Sequence, residues 1–290
     1  MSIEFVLAAG QTVLSLIAII FHIAGLLALR QTSSTQVNQK VYLIHLSVME
    51  IVFLTSHNIP LYMKLTNVNQ EVVYCTGLAV ITAVAIPWYN LLLALTIDRF
   101  LQVYLNIKYQ LYVTDKVIKI IIFSCWFIGI ALFGILFLLR ILYNYNTERL
   151  VHGVLYKIFL NIYHSLVIII FLLTYGYIYY QLRKVKESKD GMAASSDRNR
   201  KANFIPFWIV ISFILFILVP ESIHICVSLN KQPDTDTAVH DQIEMFIFAM
   251  VLFDVGCLVD ALLYIFLNEF VRERFLRCMR QMICRHENCI

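Results

Sequence analysis

Charged residues are scarce in this chain: Asp, Glu, Lys and Arg make up only 14% of its 290 residues, whereas hydrophobic residues make up 60%. Soluble globular proteins carry about a quarter charged residues, so this scarcity excludes a cytosolic enzyme, a disordered tail and a fibrous protein. The seven cysteines lack the spacing of a zinc site or a disulfide scaffold. A net charge of +4 does not indicate nucleic acid binding. The predicted solvent is therefore a lipid bilayer.

Three patterns are also missing from the sequence. No strand-length segment alternates apolar and polar residues, which excludes a membrane β-barrel. No internal repeat is visible. Neither a GxSxG nor an HExxH motif occurs, so no enzymatic activity is predicted.

Long apolar runs are abundant instead. A membrane helix needs about 20 mostly apolar residues, and seven runs meet that requirement. We therefore predict an all-α integral membrane protein, with a seven-transmembrane helix bundle over residues 1–267 and a cytoplasmic amphipathic helix and tail over 268–290. The predicted spans are residues 5–29, 41–63, 75–101, 117–139, 154–180, 204–229 and 243–267.

Basic residues are concentrated on one side of the predicted membrane. Of the 23 Lys and Arg residues, 18 lie in or beside the segments that follow the first, third, fifth and seventh spans. Because Lys and Arg favour cytoplasmic loops, we predict a multi-pass plasma-membrane protein with its N-terminus outside and its C-terminus in the cytoplasm.

The tail after the seventh span is predicted to lie on the inner membrane surface. Its basic amphipathic helix turns apolar residues to membrane lipid and arginines to the headgroups. Three cysteines lie there and are candidates for palmitoylation, with free thiols as the open alternative. They are Cys278, Cys284 and Cys289.

Three titratable residues lie deep within predicted spans. At 1.5 Å per residue, His22, Glu50 and Asp260 lie about 11 to 14 Å from the inner ends of their spans. Ionisable residues in hydrocarbon are costly and therefore candidates for function. If the helices adjoin, these residues form one polar cluster that holds a sodium ion or a shared proton. The alternative is a hydrogen-bonded structural network.

Four further polar residues fall in the outer halves of the spans. They are candidates for lining an outward-facing ligand pocket; the alternative is that water near the surface satisfies them. These residues are His57, Glu221, His224 and Asp254.

The order of short motifs resembles that of the rhodopsin-like (class A) G protein-coupled receptors. The family's Asp-Arg-Tyr at the end of span three stands here as Asp98-Arg99-Phe100, and Trp126 follows Arg99 at the family's spacing. Tyr175 matches the family pattern in span five and Pro220 the kink proline of span six. Asn/Asp-Pro-x-x-Tyr of span seven stands as Asp260-Ala261-Leu262-Leu263-Tyr264. The resemblance covers nearly the whole chain.

The sequence also departs from that family. Glu50 replaces an aspartate that binds sodium in many members, His22 replaces an asparagine, and Leu218 stands where span six usually carries tryptophan. Cys75 lies near the top of span three, but the loop at 140–157 has no cysteine to pair with it. Span seven has no lysine, so retinal is not expected, and no cofactor is expected apart from a sodium ion in the polar core.

The resemblance implies a receptor that binds an unidentified extracellular ligand and signals to a heterotrimeric G protein. A small molecule is favoured over a peptide because the segment before span one is short. Asp98, Arg99, Phe100, Tyr175, Pro220 and Tyr264 are the expected switch and coupling residues. Many members hold the arginine through a glutamate at the base of span six; Arg200 is there instead, so signalling without ligand is expected. A proton- or ion-coupled transporter is the alternative, because a His/Glu/Asp group also suits a relay.

Overall fold

Helices account for nearly all of the chain that the computed structural model describes. The described residues are 3–30, 37–56, 58, 70–105, 108–142, 149–187, 207–220, 222–223, 236–266, 272–273 and 276–277. Within these ranges the backbone forms no β-strand. The helices are α1 (Ile3–Arg30), α2 (Val37–Ser56), α3 (Gln70–Leu105), α4 (Tyr109–Tyr112), α5 (Asp115–Leu142), α6 (Arg149–Glu187), α7 (207–220) and α8 (Asp236–Phe266).

The long helices expose apolar side chains and bury polar ones. Leu16 is 54% exposed, Phe123 70% and Leu173 70%, whereas His22 and Glu50 are fully buried. Such a distribution is stable only where the surrounding medium is itself apolar, because in water the apolar surface would drive association. Three helical segments are each long and apolar enough to cross a bilayer, namely Ala9–Arg30, Val84–Leu105 and Ile162–Gln181. The helices therefore pack as a bundle within a membrane.

Helix α3 lies at the centre of the packing. It contacts α2, α5 and α6, while α1 contacts α2 and α8. Helix α8 also packs against α2 and α7. This arrangement brings α1, α2 and α8 together, and these helices carry His22, Glu50 and Asp260 respectively.

Helix α7 contains an irregular turn before its proline. Residues Ile214–Leu218 form a π-helical turn, and Pro220 follows at the end of the helix. A single π turn inside an α-helix adds a residue and changes the direction of the side chains beyond it. Next to this turn, Gly256 of α8 approaches so closely that an added Cβ would lie 2.8 Å from the Cβ of Phe216. Glycine is therefore required where α7 and α8 meet.

Candidate functional site

The C-terminal end of α3 carries a buried ion pair. Arg99 Nη2 donates to Asp98 Oδ2 at 2.7 Å, and the hydroxyl of Tyr109 on α4 donates to the other oxygen of Asp98. Arg99 is only 1% exposed and Asp98 3% exposed. Both charges are therefore enclosed by the bundle and bind each other.

Tyr175 and Phe207 lie around this ion pair. Tyr175 of α6 lies close enough to Thr96 and Arg99 of α3 to interact with them electrostatically. Its ring packs against Phe207 at the start of α7, with 5.6 Å between the ring centroids. The Tyr175 hydroxyl is buried and lies within reach of the Thr96 side chain. The residues predicted to act together, Arg99 and Tyr175, therefore do lie side by side.

Phe100, the third residue of the Asp98-Arg99-Phe100 motif, contacts other residues than the ion pair does. It stacks on Tyr104 of the same helix at 5.7 Å and packs on Tyr177 of α6 at 5.1 Å. It therefore fixes α3 against α6 by aromatic packing. Pro220 is buried at the end of α7.

A second buried polar group joins α1, α2 and α8. His22 Nε2 lies 2.9 Å from the carbonyl oxygen of Cys257 and 3.0 Å from Glu50 Oε2. Because a carbonyl oxygen only accepts hydrogen bonds, Nε2 carries the hydrogen. The hydroxyl of Tyr264 donates to Glu50 Oε1 at 3.4 Å, and the Tyr264 ring meets the His22 ring edge to face at 5.9 Å.

Asp260 belongs to the same group, which we call the central cluster (His22, Glu50, Asp260 and Tyr264). Asp260 is fully buried and interacts electrostatically with Glu50 and with Ser212 of α7. His22, Glu50 and Asp260, which the sequence places at one depth in the membrane, therefore do lie together. Ser212 lies beside them and was not predicted from the sequence.

An aromatic layer lies directly beside the central cluster. Trp88 of α3 interacts with Glu50 and packs against Phe53 of α2 at 5.7 Å and Phe213 of α7 at 5.6 Å. Tyr89 continues the layer by packing against Phe213 at 4.9 Å. Trp88 is thus a buried indole in the middle of the bundle. The sixth span has Leu218, and not tryptophan, at the position where the family usually carries one.

A third polar group joins α1 to α8. Ser15 of α1 hydrogen-bonds Asp254 of α8 at 3.0 Å, and Asn58 donates to Ser15 at 3.1 Å. Asp254 is fully buried, and Asn58 is 6% exposed. Of the predicted pocket residues, Asp254 therefore binds the first span, and Ser15 links it to Asn58. The other three predicted pocket residues, His57, Glu221 and His224, lie outside the described residues, as do Cys278, Cys284 and Cys289 of the tail.

The oxygen atoms of the central cluster fit a sodium ion, the cofactor expected from the sequence. Asp260, Glu50 and Ser212 present carboxylate and hydroxyl oxygens, which are the ligand types that hard cations prefer. Within the described ranges no three His, Cys, Asp or Glu side chains are arranged to hold a metal ion. A cation here would thus be held by the two carboxylates with the help of the serine hydroxyl.

Comparison with known proteins identifies the fold as a receptor fold. The family described as 7 transmembrane receptor (rhodopsin family) matches residues 23–264, a range that contains the Asp98–Arg99 ion pair and, of the central cluster, Glu50, Asp260 and Tyr264. A comparison with curated individual proteins finds no match. The chain belongs to the rhodopsin family of seven-transmembrane receptors, and it is a multi-pass membrane protein of signal transduction.

Proposed function

We propose that this receptor binds an extracellular ligand and transmits a conformational signal to a heterotrimeric G protein through Arg99. In this proposal the protein lies in the plasma membrane, with its N-terminus outside and its C-terminus in the cytoplasm. The observation that carries the proposal is the enclosed Asp98–Arg99 pair at the inner end of α3, with Tyr109 on the opposite carboxylate oxygen.

The buried pair supports a two-state switch. A guanidinium that is 1% exposed gives up much of its hydration, and Asp98 compensates for that loss in the present arrangement. When the inner end of α7 moves outward, Arg99 exchanges Asp98 for partners in the opened cavity, where the G protein binds. Tyr175 lies beside Arg99 and its hydroxyl is buried, so it is a suitable new partner.

The irregular turn of α7 supports a hinge for that motion. The π turn at Ile214–Leu218 and the missing backbone donor at Pro220 weaken the helix in adjacent turns. The ligand acts by binding one state more tightly than the other, since only differential affinity shifts an equilibrium. Phe207 packs on Tyr175 below the hinge, so bending there separates α7 from α6.

The outer polar group supports a ligand with a positive charge or hydrogen-bond donors. Asp254 brings a carboxylate into the outer half of the bundle, with Ser15 and Asn58 beside it. A small molecule fits a site between α1, α2 and α8 better than a folded peptide does. Asp254→Asn should weaken the response to such a ligand, whereas Asp115→Asn at the inner start of α5 should not change it.

The direct test is a panel of G protein activation assays in cells that express the receptor without ligand. Wild-type receptor should raise at least one pathway above cells with empty vector, and Arg99→Gln should abolish that rise at equal surface level. Arg183→Gln is the matched control, because Arg183 is an exposed arginine at the inner end of α6. Equal output from wild type and Arg99→Gln would contradict the proposal, and transport of a substrate by vesicles without G protein would favour a transporter instead.

A further inference from the structure

We propose that a groove on the lipid-facing side of α3, between α5 and α6, binds a sterol that carries a hydroxyl at the end of its side chain. The groove is defined by Asn90, Ala94, Ile97 and Tyr104 of α3 and by Tyr163 of α6. It lies on other helices than the Asp254 group, to which the proposed function assigns the extracellular ligand. The inference therefore adds a second binding site and does not depend on coupling to a G protein.

The packing of the helices leaves one face of α3 uncovered between two neighbours. Helices α5 and α6 both pack against α3, whereas the described residues show no comparable packing of α5 against α6. Ile97 is 42% exposed and Tyr104 62% exposed, and Asn90 and Ala94 are partly exposed. These four residues recur at helical spacing and therefore lie on one face of α3. That face is the floor of the groove.

A hydrogen-bonded polar pair lies at one end of the groove. The Tyr163 hydroxyl donates to Asn90 Oδ1 at 3.1 Å, and both side chains are only partly buried. Cys125 of α5 lies close enough to Tyr163 to interact with it electrostatically, so all three helices meet here. The bond uses the carbonyl oxygen of the amide, whose NH2 group has two donors of its own. Because polar groups in hydrocarbon are costly unless they are hydrogen-bonded, this pair favours a ligand that brings a hydroxyl to it.

Aromatic rings form the opposite end of the groove. Phe100 and Tyr104 stack with 7° between their ring planes, and Tyr177 of α6 packs on both of them. Tyr104 lies one residue before the end of α3, and tyrosine is enriched where the bilayer meets water. A flat pair of rings suits a rigid fused ring system, which loses less conformational entropy on binding than a flexible acyl chain does.

The distance between the two ends sets the length of the ligand. Tyr104 lies fourteen residues along α3 from Asn90, which corresponds to about 21 Å. One leaflet of a bilayer, headgroups included, is about 20 Å thick, so a lipid with its head at Tyr104 has the end of its tail at Asn90. Ordinary lipid tails end there in methyl groups, which form no hydrogen bond. A sterol with a side-chain hydroxyl carries polar groups at both ends and matches both ends of the groove.

The test is equilibrium binding of radiolabelled sterols to the purified full-length receptor in phosphatidylcholine nanodiscs, with empty nanodiscs subtracted. The two probes are cholesterol and cholesterol hydroxylated at the tertiary carbon of its side chain. Wild type should bind the hydroxylated sterol more tightly by roughly threefold to tenfold, the contribution of one hydrogen bond. Asn90→Leu, which keeps the volume but removes the amide, should abolish this preference and retain binding of cholesterol.

Two further variants separate the groove from the polar pair. Ile97→Trp fills the floor of the groove and should weaken the binding of both sterols. Thr55→Val removes a lipid-facing hydroxyl of α2, and should leave both affinities unchanged. If Asn90→Leu does not fold, Tyr163→Phe removes the other member of the pair and provides the same comparison of the two sterols.

The outcomes distinguish the proposal from its rivals. Equal affinity of wild type for the two sterols overturns it and leaves the Asn90–Tyr163 bond as a structural link between α3 and α6. An undiminished preference in Asn90→Leu overturns the placement of the hydroxyl. Binding of hexadecanoic acid with a hydroxyl on its last carbon, without binding of the hydroxylated sterol, would assign the groove to an acyl chain instead. The measurement needs no G protein, so failure of the proposed coupling would leave its result interpretable.

Discussion

Arg99 Nη2 lies 2.7 Å from Asp98 Oδ2, and Asp98 uses its other oxygen to accept a hydrogen bond from Tyr109. Asp98 therefore joins two side chains from different helices, one from α3 and one from the short helix α4. The position of Asp98 therefore contributes to holding Arg99 in place. The position of the segment around Tyr109 is thereby coupled to the proposed switch.

Tyr109→Phe should raise the signalling that occurs without ligand. The change removes a hydrogen bond to a charged group, and such bonds contribute about 1.5–3 kcal/mol. If the bond exists only in the present state, its loss shifts the two-state equilibrium towards the active state roughly tenfold or more. The measurement is ligand-independent G protein activation at matched surface level. Tyr112→Phe is the control, because Tyr112 lies on the same helix and is 65% exposed; equal output from both variants would show that the bond does not restrain Arg99.

His22→Asn and Glu50→Gln should be coupled in their effect on stability. His22 Nε2 lies 3.0 Å from Glu50 Oε2, and both side chains are fully buried, so each single change leaves a buried partner behind. The double variant should lose less stability than the two single losses added together, by roughly 0.5–3 kcal/mol. Thermal melting of the four purified proteins measures this difference. His164→Asn serves as the comparison, because His164 packs against Tyr89 at 5.1 Å and Tyr163 at 6.2 Å and should be additive with Glu50→Gln.

The sequence predicts the fold class and three residues of the central cluster because both depend on simple regularities. Runs of about 20 apolar residues are required by bilayer thickness, and the seven-span receptor fold is confirmed by the family match over residues 23–264. The constant rise of a helix put His22, Glu50 and Asp260 at one level. Their contact followed once the packing brought α1, α2 and α8 together.

The contributions of Ser212, Trp88 and Tyr109 could not be predicted in this way. A serine or a tryptophan in an apolar span gives no sign of whether it faces lipid or the bundle, since the rotation of each helix is set by its neighbours. The π turn at Ile214–Leu218 consists entirely of apolar residues, so no local signal marks it, yet it changes the direction of side chains on either side. Tyr109 reaches Asp98 from another element, and this contact depends on tertiary structure alone.

Trp88→Ala should destabilise the receptor far more than Trp126→Ala. Trp88 is 1% exposed and packs against aromatic rings of α2 and α7, so its removal leaves a large cavity and should cost about 3–5 kcal/mol. Trp126 is partly buried and hydrogen-bonds His45 at 3.3 Å, so its loss exposes the site to lipid instead. Melting temperatures of the two purified variants provide the comparison, and a smaller loss for Trp88→Ala would mean that the aromatic layer collapses to fill the space.

Gly256→Ala should separate α7 from α8. The new Cβ would lie 2.8 Å from the Cβ of Phe216, 3.6 Å from its Cγ and 3.7 Å from Cγ1 of Ile217. Because the position of a Cβ is fixed by the backbone, a change of rotamer cannot relieve the contact of 2.8 Å. Overpacking of this kind costs about 1–3 kcal/mol. The same substitution at Gly176, which has no other atom within 4 Å of the added Cβ, should be neutral or should stabilise the helix by roughly 0.5–1 kcal/mol. Melting temperatures of the Gly256→Ala and Gly176→Ala variants distinguish these effects. An unchanged melting temperature for Gly256→Ala would contradict the close approach of α8 to the π turn, since that contact leaves no room for a methyl group.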